Sequence, residues 1–177
     1  MRAGDEQVAV YDAAGVVTGA APRGEVYRLG LWHAATGVLV RSGDGERVVL
    51  HRRTPDKLVF ADTWDCWAGG VVGPGEDPAD AAVRELAEEL GITGAPLTPL
   101  PRATYDGVVD GSQVRYHAFT YEARWDGPLR PEPTEIAWAG WVTLGELVER
   151  LADPERWPFA PDGRAGMERW LAGRSDA

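Results

Sequence analysis

The chain has 177 residues, which fits one domain over residues 1–177, and 44% of them are hydrophobic, enough to bury a full core. Its net charge is −10 and no basic stripe interrupts it, which excludes a protein that grips nucleic-acid backbone by charge. One cysteine rules out an intrachain disulfide, no apolar run approaches the ~18 residues of a membrane span, and the opening MRAGDEQ has no apolar signal core, so the expectation is a soluble cytoplasmic protein.

Residues 1–6 are expected to fray. Residues 7–11 alternate around Val8 and Val10 as a short strand, 12–15 turn, and 16–19 return as its hairpin partner. Residues 21–24 read as a loop, 29–41 as a long apolar strand, and 47–53 as its partner across the turn Ser42-Gly-Asp-Gly45. A loop over 54–65 carries Lys57, Phe60 and Trp64, and a strand over 68–72 leads into a glycine-rich stretch. Strands follow at 102–109 and 113–124, then a proline-rich loop at 126–133 and a strand at 136–142. Thr143 and Glu146 form a capping box that opens a helix to about 151. Residues 154–161 read as extended, and 164–172 as a last helix. Strands on both sides of a central helix, with more helix at the end, predict α/β architecture with a mixed sheet between helices.

The central helix organises the chain. Asp77-Pro78 supplies an acidic N-cap followed by proline at N1, and Gly91 supplies a stop, so the helix spans about 78–90. Gly69, Gly70, Gly73 and Gly75 before it offer a backbone able to take positive φ and to approach a ligand closely. At about 100° per residue, Ala79, Val83, Leu86 and Leu90 share one side and are expected to face the core. Glu85, Glu88 and Glu89 share another, and at roughly 6 Å and an effective dielectric of about 20 each pair of them repels by about 3 kcal/mol. A bound divalent cation reverses that sign, and oxygen-only donors suit Mg²⁺ or Mn²⁺, especially where a diphosphate completes the shell. Replacing Glu89 by Gln is therefore expected to cut turnover by orders of magnitude while leaving stability little changed, or raised by relief of repulsion.

From Gly70, five residues lead to Glu76 and seven more to Arg84-Glu85-Leu86-Ala87-Glu88-Glu89-Leu90-Gly91-Ile92. From average residue usage, a chance match to the seven fixed Gly, Glu and Arg positions is on the order of 10⁻⁸ per starting point. The stretch 70–92 resembles the Nudix box, and the chain resembles the Nudix hydrolases over most of its length. That resemblance implies an α/β/α sandwich and Mg²⁺-dependent hydrolysis of a small-molecule diphosphate such as a nucleoside diphosphate derivative. It implies metal ligation by Glu85, Glu88, Glu89 and the Gly69 or Gly70 carbonyl. Glu85 stands as ligand or general base, and Arg84 orients the glutamates, through Glu76. A further acidic residue from a loop after the box is implied, with Glu135 and Glu132 as candidates. Dimers are frequent in the family.

The segments Ala21-Pro-Arg-Gly-Glu-Val-Tyr-Arg, Leu31-Trp-His33, His51-Arg-Arg-Thr-Pro-Asp-Lys57 and Trp64-Asp are similar to the branch related to isopentenyl-diphosphate isomerase. Type I isomerases place a catalytic cysteine five residues after the tryptophan matching Trp64; here that position is Gly69, and Cys66 lies three residues too early. Of the isomerase histidines only His33 keeps its place, so the resemblance is to an isomerase-like hydrolase. An isomerase and a noncatalytic nucleotide-binding module are the alternatives.

The remaining candidates each carry two readings. Arg52, Arg53, Lys57 and Arg115 are phosphate contacts or solvated charges, with Arg53 at a strand end the best placed for substrate. Trp64 and Trp67 line a ligand pocket or pack in the core. His33, His51 and His117 are site residues or buried strand histidines, and Cys66 is a nucleophile or a small buried apolar residue.

Overall fold

A computed structural model describes residues 3–175. Its spine is the strand β3 (Trp32–Arg41). On one edge β3 runs parallel to β9 (Ser112–Arg124), in unbroken register from Trp32↔Arg115 to Arg41↔Arg124. On the other edge it meets in turn β1 (Gln7–Tyr11), β6 (Trp67–Ala68) and β4 (Arg47–Arg53). The sheet extends outward from β1 to β2 (Val17–Pro22) and from β4 to β5 (Trp64–Asp65) and β10 (Ile136–Thr143). Beyond β9 lie β7 (Leu97–Pro99) and β8 (Ala103–Val109), both antiparallel to it.

Because successive side chains on a strand point to opposite faces, β3 serves two cores. Val38 and Val40 face the helix α2 (Pro78–Leu90), packing with Ala82, Leu86, Leu90 and Tyr121. Leu39 faces the other way, with Leu50 and Cys66, toward Leu147 of α3 (Leu144–Leu151) and Met167 of α4 (Pro161–Ser175). The architecture is therefore the expected mixed sheet between helices.

Local signals place α2 and α3 where the sequence puts them. The Asp77 carboxylate accepts from the Ala79 N–H at 2.8 Å, Gly91 takes the left-handed conformation, and the Thr143–Glu146 capping box closes in both directions. Other expectations need correction. The loop at 21–24 is instead the end of β2 and the start of a helix, α1 (Arg23–Leu29). This helix is held by tertiary contact: Val26 is fully buried and the Arg23 N–H donates to the Glu6 carbonyl. Residues 3–5 form a 3₁₀ turn rather than fraying, while 1 and 2 lie outside the described residues. The strand expected over 68–72 is only Trp67–Ala68, followed by an isolated bridge between Ala35 and Val71. The last helix starts at Pro161, before 164.

The largest correction concerns the face that α2 buries. Val83 is half exposed, whereas Ala81, Ala82, Glu85, Leu86, Glu89 and Leu90 are buried. At about 100° per residue, the buried arc is rotated by roughly 80° from the one centred on the aliphatic residues. Glu85 and Glu89 lie in the middle of it.

Candidate active site

Burying two carboxylates on one helix requires compensation, and each has it. Glu89 is 3% exposed. One of its oxygens accepts the Gly69 N–H at 2.9 Å, and the other lies 3.2 Å from Lys57 Nζ. The same ammonium pairs with Glu135. Glu85 receives Arg84 Nη1 at 2.7 Å. Arg84 in turn holds both oxygens of Glu76, through Nε at 2.8 Å and Nη2 at 3.1 Å, and reaches Glu88 at 3.3 Å. Repulsion along the helix is thus relieved by two cations, so the expectation that Glu89→Gln leaves stability unchanged or raised does not fit this arrangement: the amide would weaken the pairing with Lys57.

Glycine is required beside these carboxylates by close approach. A Cβ on Gly70 would lie 2.6 Å from the Glu85 carboxyl carbon, and one on Gly69 would lie 2.8 Å from Gly37 Cα and nearer still to the Thr36 carbonyl oxygen. The Gly70 carbonyl accepts the Thr36 N–H at 2.8 Å. Glu85 and Glu89 therefore converge on the Gly69–Gly70 backbone, while Glu88 points outward. Burial, then the charge of Glu89, push the Glu85 carboxyl up to about 7 against the pull of Arg84.

Among the described residues no group of three His, Cys, Asp or Glu side chains is arranged to hold a metal ion. The donor chemistry nevertheless fits a hard divalent cation: buried carboxylate oxygens drawn together, with ammonium and guanidinium groups balancing their charge. Glu85, Glu88, Glu89 and the Gly70 carbonyl are the residues that would hold it.

Of the other candidates, Arg53 is buried and donates to the carbonyls of Phe60 and Val59, with no carboxylate partner among the described residues. It lines a cavity of ≈ 130 Å³ that also touches Gly69, Gly70 and Trp67. Trp64 is not on that wall; it packs against Trp138 and Trp157, with Arg52 over its ring. Glu135 reaches the box through Lys57, whereas Glu132 caps its own loop by accepting from Thr134. Arg115 pairs with Asp106. His33 lines the cavity, buried against Tyr27 and Tyr116, and His51 is buried. Burial pushes the Cys66 thiol well up, which leaves it unreactive.

Two features escape a reading of the sequence. Lys57 bridges Glu89 and Glu135 across 32 and 78 positions, a pairing that no local spacing announces. Tyr105, Tyr116 and Asp162 come from separate elements to one cavity, and the only local sign is the helix start at Pro161-Asp162.

The NUDIX domain family model matches residues 31–163, which span β3 to β10, α2 and most of the cavity walls. The chain belongs to the Nudix family. An uncharacterized Nudix hydrolase, orf19, of Rhodococcus erythropolis is 52% identical over 166 residues, covering 91% of this chain and 89% of the relative. An isopentenyl-diphosphate Delta-isomerase of Cereibacter sphaeroides is 35% identical over 141 residues, 77% of each chain. The crystal structure of DR0079 from Deinococcus radiodurans superposes with a TM-score of 0.67 at 24% identity, over 83% of this chain and 89% of that one, and shares the Nudix fold. The chain is accordingly a Nudix hydrolase, an enzyme of pyrophosphate bonds, and residues 70–92, which resemble the Nudix box, fall within the matched span. No helix among the described residues is long and apolar enough to cross a membrane.

Proposed function

We propose that this Nudix hydrolase cleaves a pyrophosphate linkage in a small cytoplasmic diphosphate, with Mg²⁺ or Mn²⁺ bound at Glu85, Glu88, Glu89 and the Gly70 carbonyl. The observation that carries this reading is the convergence of the buried Glu85 and Glu89 carboxylates on Gly69 and Gly70. The bound metal supplies neutralisation of phosphoryl oxygens and acidification of water. Where Glu85 serves as general base rather than as ligand, its carboxylate takes the proton of the attacking water. Arg84 fixes Glu85 through one nitrogen while its other two hold Glu76. Arg53, a buried cation without a carboxylate partner among the described residues, offers its remaining nitrogen to a phosphate oxygen. Glu135 shares Lys57 with Glu89 and can accept a proton or bind the cation once the ammonium moves.

The isomerase-named relatives favour a second reading, isomerisation of isopentenyl diphosphate. Gly69 weighs against it: a Cβ there would run into the β3 backbone at Thr36 and Gly37, which leaves no room for the side chain of a cysteine.

The test is product release from nucleoside di- and triphosphates, NADH, ADP-ribose, nucleotide sugars, coenzyme A and isopentenyl diphosphate, with and without Mg²⁺. Mg²⁺-dependent cleavage of one class, lost by orders of magnitude in Glu89→Gln, is the expected result. Turnover surviving within a few-fold in that variant would remove Glu89 from the metal site. Silence across the panel, with one ligand still raising the melting temperature, would identify a binding module.

A further inference from the structure

The two cations that serve the box differ in kind. Of the 18 Lys and Arg residues in the chain, Lys57 is the single lysine. Arg84 is locked in place by a fork that holds Glu76 with two nitrogens. Lys57 makes point contacts instead: its Nζ lies 3.2 Å from Glu89 Oε1 and pairs with Glu135. An ammonium is a compact, strongly hydrated charge on a flexible stem, so it passes between carboxylate and water more readily than a guanidinium fork does. One of its two partners, Glu89, is assigned to the divalent cation in the hydrolase reading. A doubly charged ion and an ammonium on the same oxygen repel each other strongly at such separations, so the arrival of one displaces the other.

The backbone around Lys57 is a short segment held at both ends. The loop 54–63 joins β4 to β5. At its start, Thr54 donates its N–H to the Glu135 carbonyl at 3.1 Å and its hydroxyl to the Thr134 carbonyl at 3.0 Å. Further on, Phe60 is buried, and its carbonyl accepts Arg53 Nε and the Thr63 hydroxyl. Its φ of 54° is a left-handed bend that a bulky residue adopts only where contacts hold it. Between these anchors Pro55, Asp56 and Leu58 are exposed. The Lys57 ammonium on the carboxylates and the Val59 carbonyl, 3.2 Å from Arg53 Nη2, draw this stretch inward. Val59 lines the cavity that reaches Gly69 and Gly70. The segment therefore covers one side of the box and occupies a nitrogen of Arg53.

Resting on the metal site of the hydrolase reading, we propose that residues 55–59 form an autoinhibitory latch, with the Lys57 ammonium as its bolt. While the ammonium sits on Glu89 and Glu135, the segment stays closed over the box. A divalent cation bound by the carboxylates drives the ammonium into water, and the segment swings out about Thr54 and Phe60. That movement releases Arg53 Nη2 from the Val59 carbonyl, leaving it to a phosphate oxygen. Metal binding thus comes first and admits the phosphate. The exchange replaces one cation by another and breaks no covalent bond.

Limited proteolysis of the full chain with lysyl endopeptidase tests this, because the chain offers that protease one site, between Lys57 and Leu58. Cleavage needs the segment free of the body, so its rate reports the open population. The protein is stripped with EDTA, dialysed and digested with and without Mg²⁺. Calorimetry on the same sample records whether Mg²⁺ binds, and a peptide of residues 50–64 corrects for any effect of Mg²⁺ on the protease. A ligand that binds the folded state ordinarily protects it from proteolysis; the latch reverses that sign. The expected result is cleavage into 1–57 and 58–177 at least ~10-fold faster in saturating Mg²⁺. Glu135→Gln removes one partner of the ammonium at a side chain that is 41% exposed, so the fold survives. Without Mg²⁺ this variant should be cut about 3-fold or more faster than wild type. Mg²⁺ binding with cleavage unchanged or slowed, or Glu135→Gln cut no faster than wild type, would overturn the latch and leave the metal site standing. No Mg²⁺ binding by calorimetry would remove the metal site, and the latch with it.

Discussion

The ammonium of Lys57 lies 3.2 Å from the buried carboxylate of Glu89 and also pairs with Glu135. It supplies positive charge where the Nudix box is expected to bind a divalent cation, so metal and lysine compete for the same oxygens. Lys57→Met should destabilise the metal-free protein by about 2–3 kcal/mol, since it strands a buried charge, with Glu135 partly solvated. For a chain of this size that is a drop of roughly 5–10 °C in melting temperature. Mg²⁺ should then raise the melting temperature of the variant more than that of wild type, because no ammonium has to be displaced. Thermal denaturation with and without Mg²⁺ checks both. An equal or smaller Mg²⁺ effect in the variant would show that Lys57 does not occupy the cation's place.

Arg84 engages Glu76 with two nitrogens and Glu85 with the third. Lysine keeps the charge but has neither the planar fork nor the reach to serve both partners. Arg84→Lys should lower kcat on the cleaved diphosphate by about 10²-fold with KM changed little, because it disturbs the orientation of Glu85 rather than substrate binding. Steady-state kinetics decide it: activity within 3-fold of wild type, as an order-of-magnitude threshold, would mean the fork is dispensable.

The box helix shows where a sequence reading succeeds and stops. Its ends are legible because capping is local: Asp77, Pro78 and Gly91 carry the signals within a turn of where they act. Its buried face is not. Hydrophobicity ranks Val83 inside and the glutamates outside, yet Glu85 and Glu89 are buried and Val83 is half exposed. The reversal depends on Lys57 and the Gly69 N–H, which reach Glu89 from 32 and 20 residues away. Helix α1 was hidden for the same reason: seven residues after a proline carry little periodicity, and its stability comes from the contacts of Arg23 and Val26. The pairing of Arg84 with Glu76 was legible because the family resemblance carries it. Asp65 falls in the Trp64-Asp segment, but no short motif joins it to Tyr116 and Asp162, which it meets only through the sheet and α4.

Close packing at Gly69 gives a sharp stability contrast. A methyl group there runs into the backbone of β3, at Gly37 Cα and the Thr36 carbonyl. Backbone yields less readily than a side chain, so Gly69→Ala should cost about 2–4 kcal/mol. Gly19, on the exposed edge strand β2, has nothing within 4 Å of an added Cβ, and Gly19→Ala should stay within about 0.5 kcal/mol of wild type. Urea denaturation of the pair checks this; comparable losses in both would contradict the packing around the Gly69 backbone.

Buried histidines and raised carboxyls oppose each other in the pH dependence of stability. Burial lowers His51 from 6.5 to about 3 and His33 from 6.5 to about 4, so between those values and 6.5 the unfolded chain binds more protons than the folded one. Their contribution is present above 6.5 and is lost as the pH falls through the window. Glu85, raised from 4.5 to about 7, has the opposite sign: its contribution is present below 4.5 and lost as the pH rises through 7. The two trends cancel in part between 4.5 and 6.5, which flattens the wild-type profile of the metal-free protein. His51 lines no part of the cavity, so His51→Leu removes one histidine without touching the candidate site. Relative to wild type, the variant should gain about 3 kcal/mol of stability on going from about pH 7 to about pH 4. Denaturant titrations of both proteins across that range measure the difference. A stability gap between variant and wild type that does not change with pH would show that His51 titrates in the folded protein much as it does in the unfolded chain.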